Sequence, residues 1–161
     1  MKAIFLDIDG VLNEAKSRSS CCGYRGIDDK KVEILAKIVK ETGARLVLTS
    51  TWKNHWRPFY KEFQGFLGNY LDRKMKKQGL RIYSKVASKD RRTGVYYSRG
   101  ESILYYLSRN NVEKFVILDD YQYDYDSCGL TDYHVKTDND NGGLTEALAA
   151  QAIAILNGEK Q

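Results

Sequence analysis

The chain has 161 residues, 42% hydrophobic and 29% charged, with a net charge of +5. This suffices for one domain with a real core, and no run approaches the roughly 18 consecutive apolar residues of a membrane helix. Cys21, Cys22 and Cys128 are odd in number, lack a repeated spacing and have no histidines at ligand distance, which excludes a disulfide framework and a zinc site.

The apolar run at the N-terminus is too short for a signal-peptide core and has no small-residue cleavage site. A cytoplasmic protein with buried or incidental thiols is therefore expected. No repeat, low-complexity tract or linker divides the chain, so residues 1–161 read as a single domain. The basic excess is concentrated between Lys74 and Arg99, a patch suited to an anionic partner or to solvent alone.

In chain order, Ala3–Ile8 reads as a strand that runs into Asp7-Ile8-Asp9-Gly10. Residues 14–27 form a polar loop placed to act as a flap. Asp28 is a suitable N-cap, and Val32, Leu35, Ile38 and Val39 recur at helical spacing until Gly43 stops the helix. Arg45–Thr49 is a second apolar strand. Residues of about 52–84 carry Trp52, Trp56, Phe59, Tyr60, Phe63, Phe66 and Tyr70 at gaps of three and four. They predict one or two helices of an inserted element, with the aromatic face as its core or, as the lesser alternative, as a stacking surface for bases. Ser98 and Glu101 form a capping box that opens a helix through Ile103, Leu104 and Leu107. Phe115–Leu118 is a third strand, ending in Asp119-Asp120, and Tyr133–Lys136 a weaker fourth at an edge. Leu144–Leu156 closes the chain as a helix.

Strands alternating with helices predict a mostly parallel sheet covered on both faces. Ligands of such sheets bind beyond the carboxyl ends of the strands. Here three strands deliver Asp7 and Asp9, Thr49 and Ser50, and Asp119 and Asp120 to that one edge. Carboxylates gathered so closely repel unless a proton or cation relieves them. A hard ion such as Mg²⁺ takes oxygen ligands and leaves room for a phosphate. Asp138–Gly143 looks like a calcium loop but lacks ligands at later positions. His55 and His134 have no metal-ligand neighbour in the sequence and read as surface or structural residues.

These pieces resemble the haloacid dehalogenase-like (HAD) superfamily of phosphotransferases. Asp7-Ile8-Asp9-Gly10-Val11-Leu12-Asn13 is similar to its first motif, Val47-Leu48-Thr49-Ser50 to its second, and Ile117-Leu118-Asp119-Asp120 to its fourth. The likeness runs from residue 1 to about 157, apart from most of 52–84. Leu48–Lys53, with Arg99-Gly100-Glu101, is closest to a small branch found in RNA-repair proteins and phages.

The resemblance implies a three-layer, Rossmann-like α/β fold with a small helical insertion. It implies that Asp7 attacks phosphorus to give an aspartyl-phosphate, while Asp9 serves as general acid and base. Mg²⁺ would lie between the Asp7 carboxylate, the Asp9 backbone carbonyl and Asp119 or Asp120, with Asp124 joining through water. Thr49 and Ser50 would hold phosphate oxygens. Arg99 is the choice for the basic third motif, because a helix N-terminus already favours phosphate; Lys85 and Lys89 are its rivals. The activity implied is a phosphomonoesterase acting on a phosphorylated small molecule, a nucleotide or a nucleic-acid terminal phosphate. The alternative is a regulatory domain that binds metal or phosphate without turnover.

Overall fold

The computed structural model describes residues 1–21 and 23–159. Its centre is a five-stranded sheet of β1 (Lys2–Leu6), β4 (Arg45–Leu48), β5 (Ile82–Lys85), β6 (Lys114–Asp119) and β7 (His134–Lys136). The spatial order is β5-β4-β1-β6-β7, and every neighbouring pair is parallel. A separate antiparallel pair, β2 (Ser20–Cys21) and β3 (Tyr24–Arg25), lies in the loop after β1.

Side chains alternate across the sheet, as strand geometry requires. Ile4, Leu6, Leu46, Leu48, Val116 and Leu118 enter one core with α1 (Asp29–Thr42), α2 (Phe66–Lys77) and α4 (Glu146–Asn157). Ala3, Phe5, Val47 and Ile117 enter a second core with Ile103 and Tyr106 of α3 (Arg99–Arg109) and with Tyr125. The result is the expected α/β architecture, a parallel sheet between two helical layers. Each fully buried Leu or Ile contributes about 1.5–3 kcal/mol. No helix among the described residues is long and apolar enough to cross a membrane.

The helix boundaries follow their local chemistry. Asp28 caps α1 by accepting from the Lys30 N–H, and Gly43 ends it in the left-handed conformation. Ser98 and Glu101 form the full capping box at α3. Thr145 caps α4.

The segment 52–84 divides into two parts. α2 buries Leu67, Tyr70, Leu71 and Met75 in the main core, and Ile82–Lys85 extends the sheet beside β4. Its aromatic residues do not share one fate. Trp52, Trp56 and Tyr70 are buried, but Phe59, Tyr60, Phe63 and Phe66 are 88%, 61%, 71% and 60% exposed. Between Trp56 and Gly65 only a single 3₁₀ turn forms, at Lys61–Phe63, so no continuous helical face exists to gather those rings. Cys21 is buried and Cys128 half-buried; Cys22 lies outside the described residues.

Candidate active site

Strand register builds the site. Leu6 is level with Leu48 on one side and Leu118 on the other. The next residues, Asp7, Thr49 and Asp119, therefore leave three adjacent strands side by side. Backbone bonds hold them there: the Asp7 N–H donates to Leu118 O and the Thr49 N–H to Leu6 O, each at 2.9 Å.

Three carboxylates converge at this edge. One oxygen from each of Asp7, Asp119 and Asp120 lies within 4.8 Å of the other two. Asp119 is fully buried; its oxygens accept from the Tyr121 N–H at 3.0 Å and the Tyr125 hydroxyl at 2.9 Å. Asp120 is half-buried and lines an open cavity of about 180 Å³ together with Asp7, Asp9, Ser50 and Arg99. Gly10 makes this approach possible. Its φ is +77°, and a Cβ there would stand 2.2 Å from Asp120 Oδ2.

Arg99 Nη1 donates to Asp7 Oδ1 at 3.0 Å and stands 3.7 Å from Asp119 Oδ2. Its guanidinium also lies 4.5 Å from the centre of the Tyr123 ring and donates to that hydroxyl at 3.0 Å. Burial opposes the arginine's charge, but Asp7 and Asp119 more than offset it and keep the group protonated. Asp124 anchors the N-terminus of α3 and is not among the three converging acids. It accepts from the Gly100 N–H at 2.9 Å and from the Ser98 hydroxyl. Lys85 is also elsewhere: its ammonium donates to the carbonyls of Lys53 and Trp56 at 2.6 and 2.7 Å. Lys89 lies over the Tyr96 ring at 5.8 Å.

Asp9 is not one of the three converging acids but lines the same cavity as Asp7 and Asp120. Asn13 Nδ2 donates to Asp9 Oδ1 at 2.9 Å and Trp52 Nε1 donates to Asp9 Oδ2 at 3.0 Å. Ser50 lines the cavity and caps the 3₁₀ turn Thr51–Asn54. Thr49 does not line it. Its hydroxyl is buried without a hydrogen-bond partner among the described residues.

Several residues of the site had no role in the sequence reading. Arg25 arrives on β3 and donates to Asn139 Oδ1 at 2.6 Å, and both line the cavity. Their sequence neighbourhoods carry no signal, because only the folded loops bring them to the sheet edge. Asn13 was legible in principle: four residues after Asp9, it also accepts from the Gly10 N–H at 2.9 Å, a local turn typical of asparagine. Lys53 lies close enough to the site for the charges of Arg99 and Asp7 to act on it; burial, then Arg99 and Lys85, lowers its ammonium to about 8. The Asp138 carboxylate accepts from the amides of Asp140 and Asn141 within its own loop. His134 Nε2 bonds to Asp119 O at 3.0 Å, a structural role.

The donor set fits a hard divalent cation. It is all oxygen, anionic and concentrated in one place. Without a cation the charge is relieved by protons. Burial, then Asp119, pushes the Asp7 carboxyl up to about 7 against the pull of Arg99. Burial likewise raises Asp119 and Asp120.

A parallel sheet between helical layers, with these acids, a guanidinium and a serine at the ends of its central strands, defines a hydrolase domain of the HAD type, a class that generally uses a divalent metal. The chain belongs to the family described as the HAD domain in Swiss Army Knife RNA repair proteins, which it matches over residues 3–149. No curated protein and no solved structure matches it.

Proposed function

We propose that this domain is a Mg²⁺-dependent phosphomonoesterase that works through an aspartyl-phosphate on Asp7, with a nucleotide or a nucleic-acid terminal phosphate as substrate. The observation that carries this reading is the convergence of Asp7, Asp119 and Asp120 with Arg99 bonded to Asp7.

The Asp7 carboxylate is the nucleophile. It forms a bond to phosphorus as the bond to the leaving oxygen breaks. Arg99 favours the ionised form of Asp7 and aims its carboxylate, and its remaining N–H groups hold phosphate oxygens. Ser50, with Thr51 beside it on the cavity wall, supplies neutral donors to the same oxygens. Asp9 donates a proton to the leaving oxygen. It then accepts one from the water that splits the phosphoryl group from Asp7, a service typically worth about 10²–10⁴-fold. Trp52 and Asn13 fix the orientation of Asp9 for both transfers.

The cation would be held by the Asp7 carboxylate, the Asp9 carbonyl and Asp120, with Asp119 behind. Asp120 lines the cavity, whereas Asp119 is fully buried with both oxygens already accepting. When bound there, the cation would neutralise charge on the transferring phosphoryl group. The family's description as a domain of RNA repair proteins and the basic stretch between Lys74 and Arg99 support a nucleotide or nucleic-acid end.

The test is phosphate release by the purified protein with Mg²⁺ across nucleotides, sugar phosphates and oligonucleotides bearing terminal phosphates. Release that a chelator abolishes is expected. No release from any of them would leave a binding domain without turnover as the better reading.

A further inference from the structure

A second cavity, of about 120 Å³, is lined by Tyr24, Thr51, Trp52, Asn54, His55 and Leu67. Thr51 lines this cavity and the acidic one, so the two are adjacent. The same two elements wall both. β3 supplies Tyr24 to one and Arg25 to the other, because consecutive residues of a strand face opposite ways. The segment after β4 supplies Ser50 to the acidic cavity and Trp52, Asn54 and His55 to its neighbour.

The lining is chemically specific. The Tyr24 ring stands edge-on to Trp52 at 6.2 Å and to His55 at 6.4 Å. Tyr24 is half exposed, so part of its ring is open to a ligand. The Asn54 side chain is exposed and has no hydrogen-bond partner among the described residues. Its amide offers both a donor and an acceptor. The cavity is smaller than the about 150 Å³ of one that takes benzene, so a base would stack in its mouth against Tyr24 rather than be enclosed. A flat ring with polar edges meets all three conditions, and aromatic walls stack on bases of any sequence.

We propose that this second cavity is a nucleobase subsite, holding the base of a nucleotide whose phosphate lies at Asp7. The base comes from a free nucleotide or from the last nucleotide of a strand. The proposal rests on the phosphomonoesterase reading for the placement of the phosphate, while its base-binding content stands on Tyr24, Asn54 and their neighbours alone.

Two measurements test it. The first compares kcat/KM for nucleoside monophosphates, oligonucleotides bearing a terminal phosphate, and ribose phosphate. Nucleotides are expected to exceed ribose phosphate by about tenfold or more, and that ratio should fall toward one in Tyr24→Ala and Asn54→Ala. A preference for free nucleotide or for strand end identifies the source of the base. A ratio near one in the wild-type protein, or one unchanged in both variants, overturns the subsite and leaves the phosphomonoesterase reading intact. The second measurement needs no turnover: NMR titration of the wild-type protein with a free nucleoside. Shifts at Tyr24, Thr51 and Asn54 support the subsite even if no phosphomonoester is hydrolysed, and the failure then belongs to the activity alone. Unmoved resonances at those residues overturn it.

Discussion

The indole Nε1 of Trp52 donates to Asp9 Oδ2 at 3.0 Å, joining residues 43 positions apart. Through this bond the turn after β4 sets the side chain of an acid that follows β1. Asn13 holds the other oxygen and accepts in turn from the Gly10 N–H. Trp52→Phe keeps a ring in the buried position but removes the donor. It is expected to lower kcat about ten- to hundredfold, a part of the roughly 10²–10⁴-fold of general acid–base help because Asp9 itself remains, with a smaller change in KM. Steady-state kinetics on an aryl phosphate, with a circular dichroism spectrum to verify folding, checks this. An unchanged kcat would mean that the orientation of Asp9 does not limit turnover.

Gly10→Ala tests the metal side of the site. The added Cβ meets Asp120 Oδ2 at 2.2 Å and the backbone has a φ of +77°, so either Asp120 or the turn must move. A stability loss of about 1–3 kcal/mol is expected, together with at least tenfold weaker Mg²⁺ binding by calorimetry.

Stability should respond to Mg²⁺ in a pH-dependent way. In the fold, Asp7, Asp119 and Asp120 bind protons more tightly than in the unfolded chain. Their contribution to stability is therefore present at acid pH and is lost as pH rises through the folded values, about 7 for Asp7. A cation takes the place of those protons. Mg²⁺ should raise Tm by several degrees at about pH 8 and by far less at about pH 5. Thermal melts with Mg²⁺ and with chelator decide it, and equal shifts at both pH values would contradict the cation–acid account.

Asp72 offers a structural prediction of opposite sign. Burial raises its carboxyl, but bonds from Lys61, Gln64 and Trp56 outweigh this and hold it below its ordinary value of 3.8. Its contribution is therefore present above the ordinary carboxylate range and lost as pH falls through the lower folded value. Asp72→Asn should cost about 1–2 kcal/mol at neutral pH, read from urea unfolding. Its side chain is a third exposed, which limits the effect. The gap to wild type should narrow as pH falls through the lower folded value.

The strands that carry the acids were legible in the sequence because each is an apolar run buried on both faces, as in Val116–Leu118. β5 was not, since Ile82-Tyr83-Ser84-Lys85 is a short edge strand with one buried residue. The capping box placed Arg99 at a helix start, and the fold brings that helix start to Asp7. Arg25 and Asn139 reach the site only through tertiary folding of a hairpin and a loop. The exposed rings of Phe59, Tyr60 and Phe63 show the limit of periodicity: the spacing was helical, but the segment before Gly65 forms no helix to use it, and Phe66 stands exposed at the first position of α2.

The most direct test of the catalytic centre is phosphate release from an aryl phosphate by Asp7→Asn in the presence of Mg²⁺. This substitution keeps the shape of the side chain and removes the nucleophile and one anion of the cluster. The account predicts turnover at the uncatalysed background, beside a wild type that releases phosphate and stops when the metal is chelated. Turnover by Asp7→Asn close to that of the wild type would contradict it.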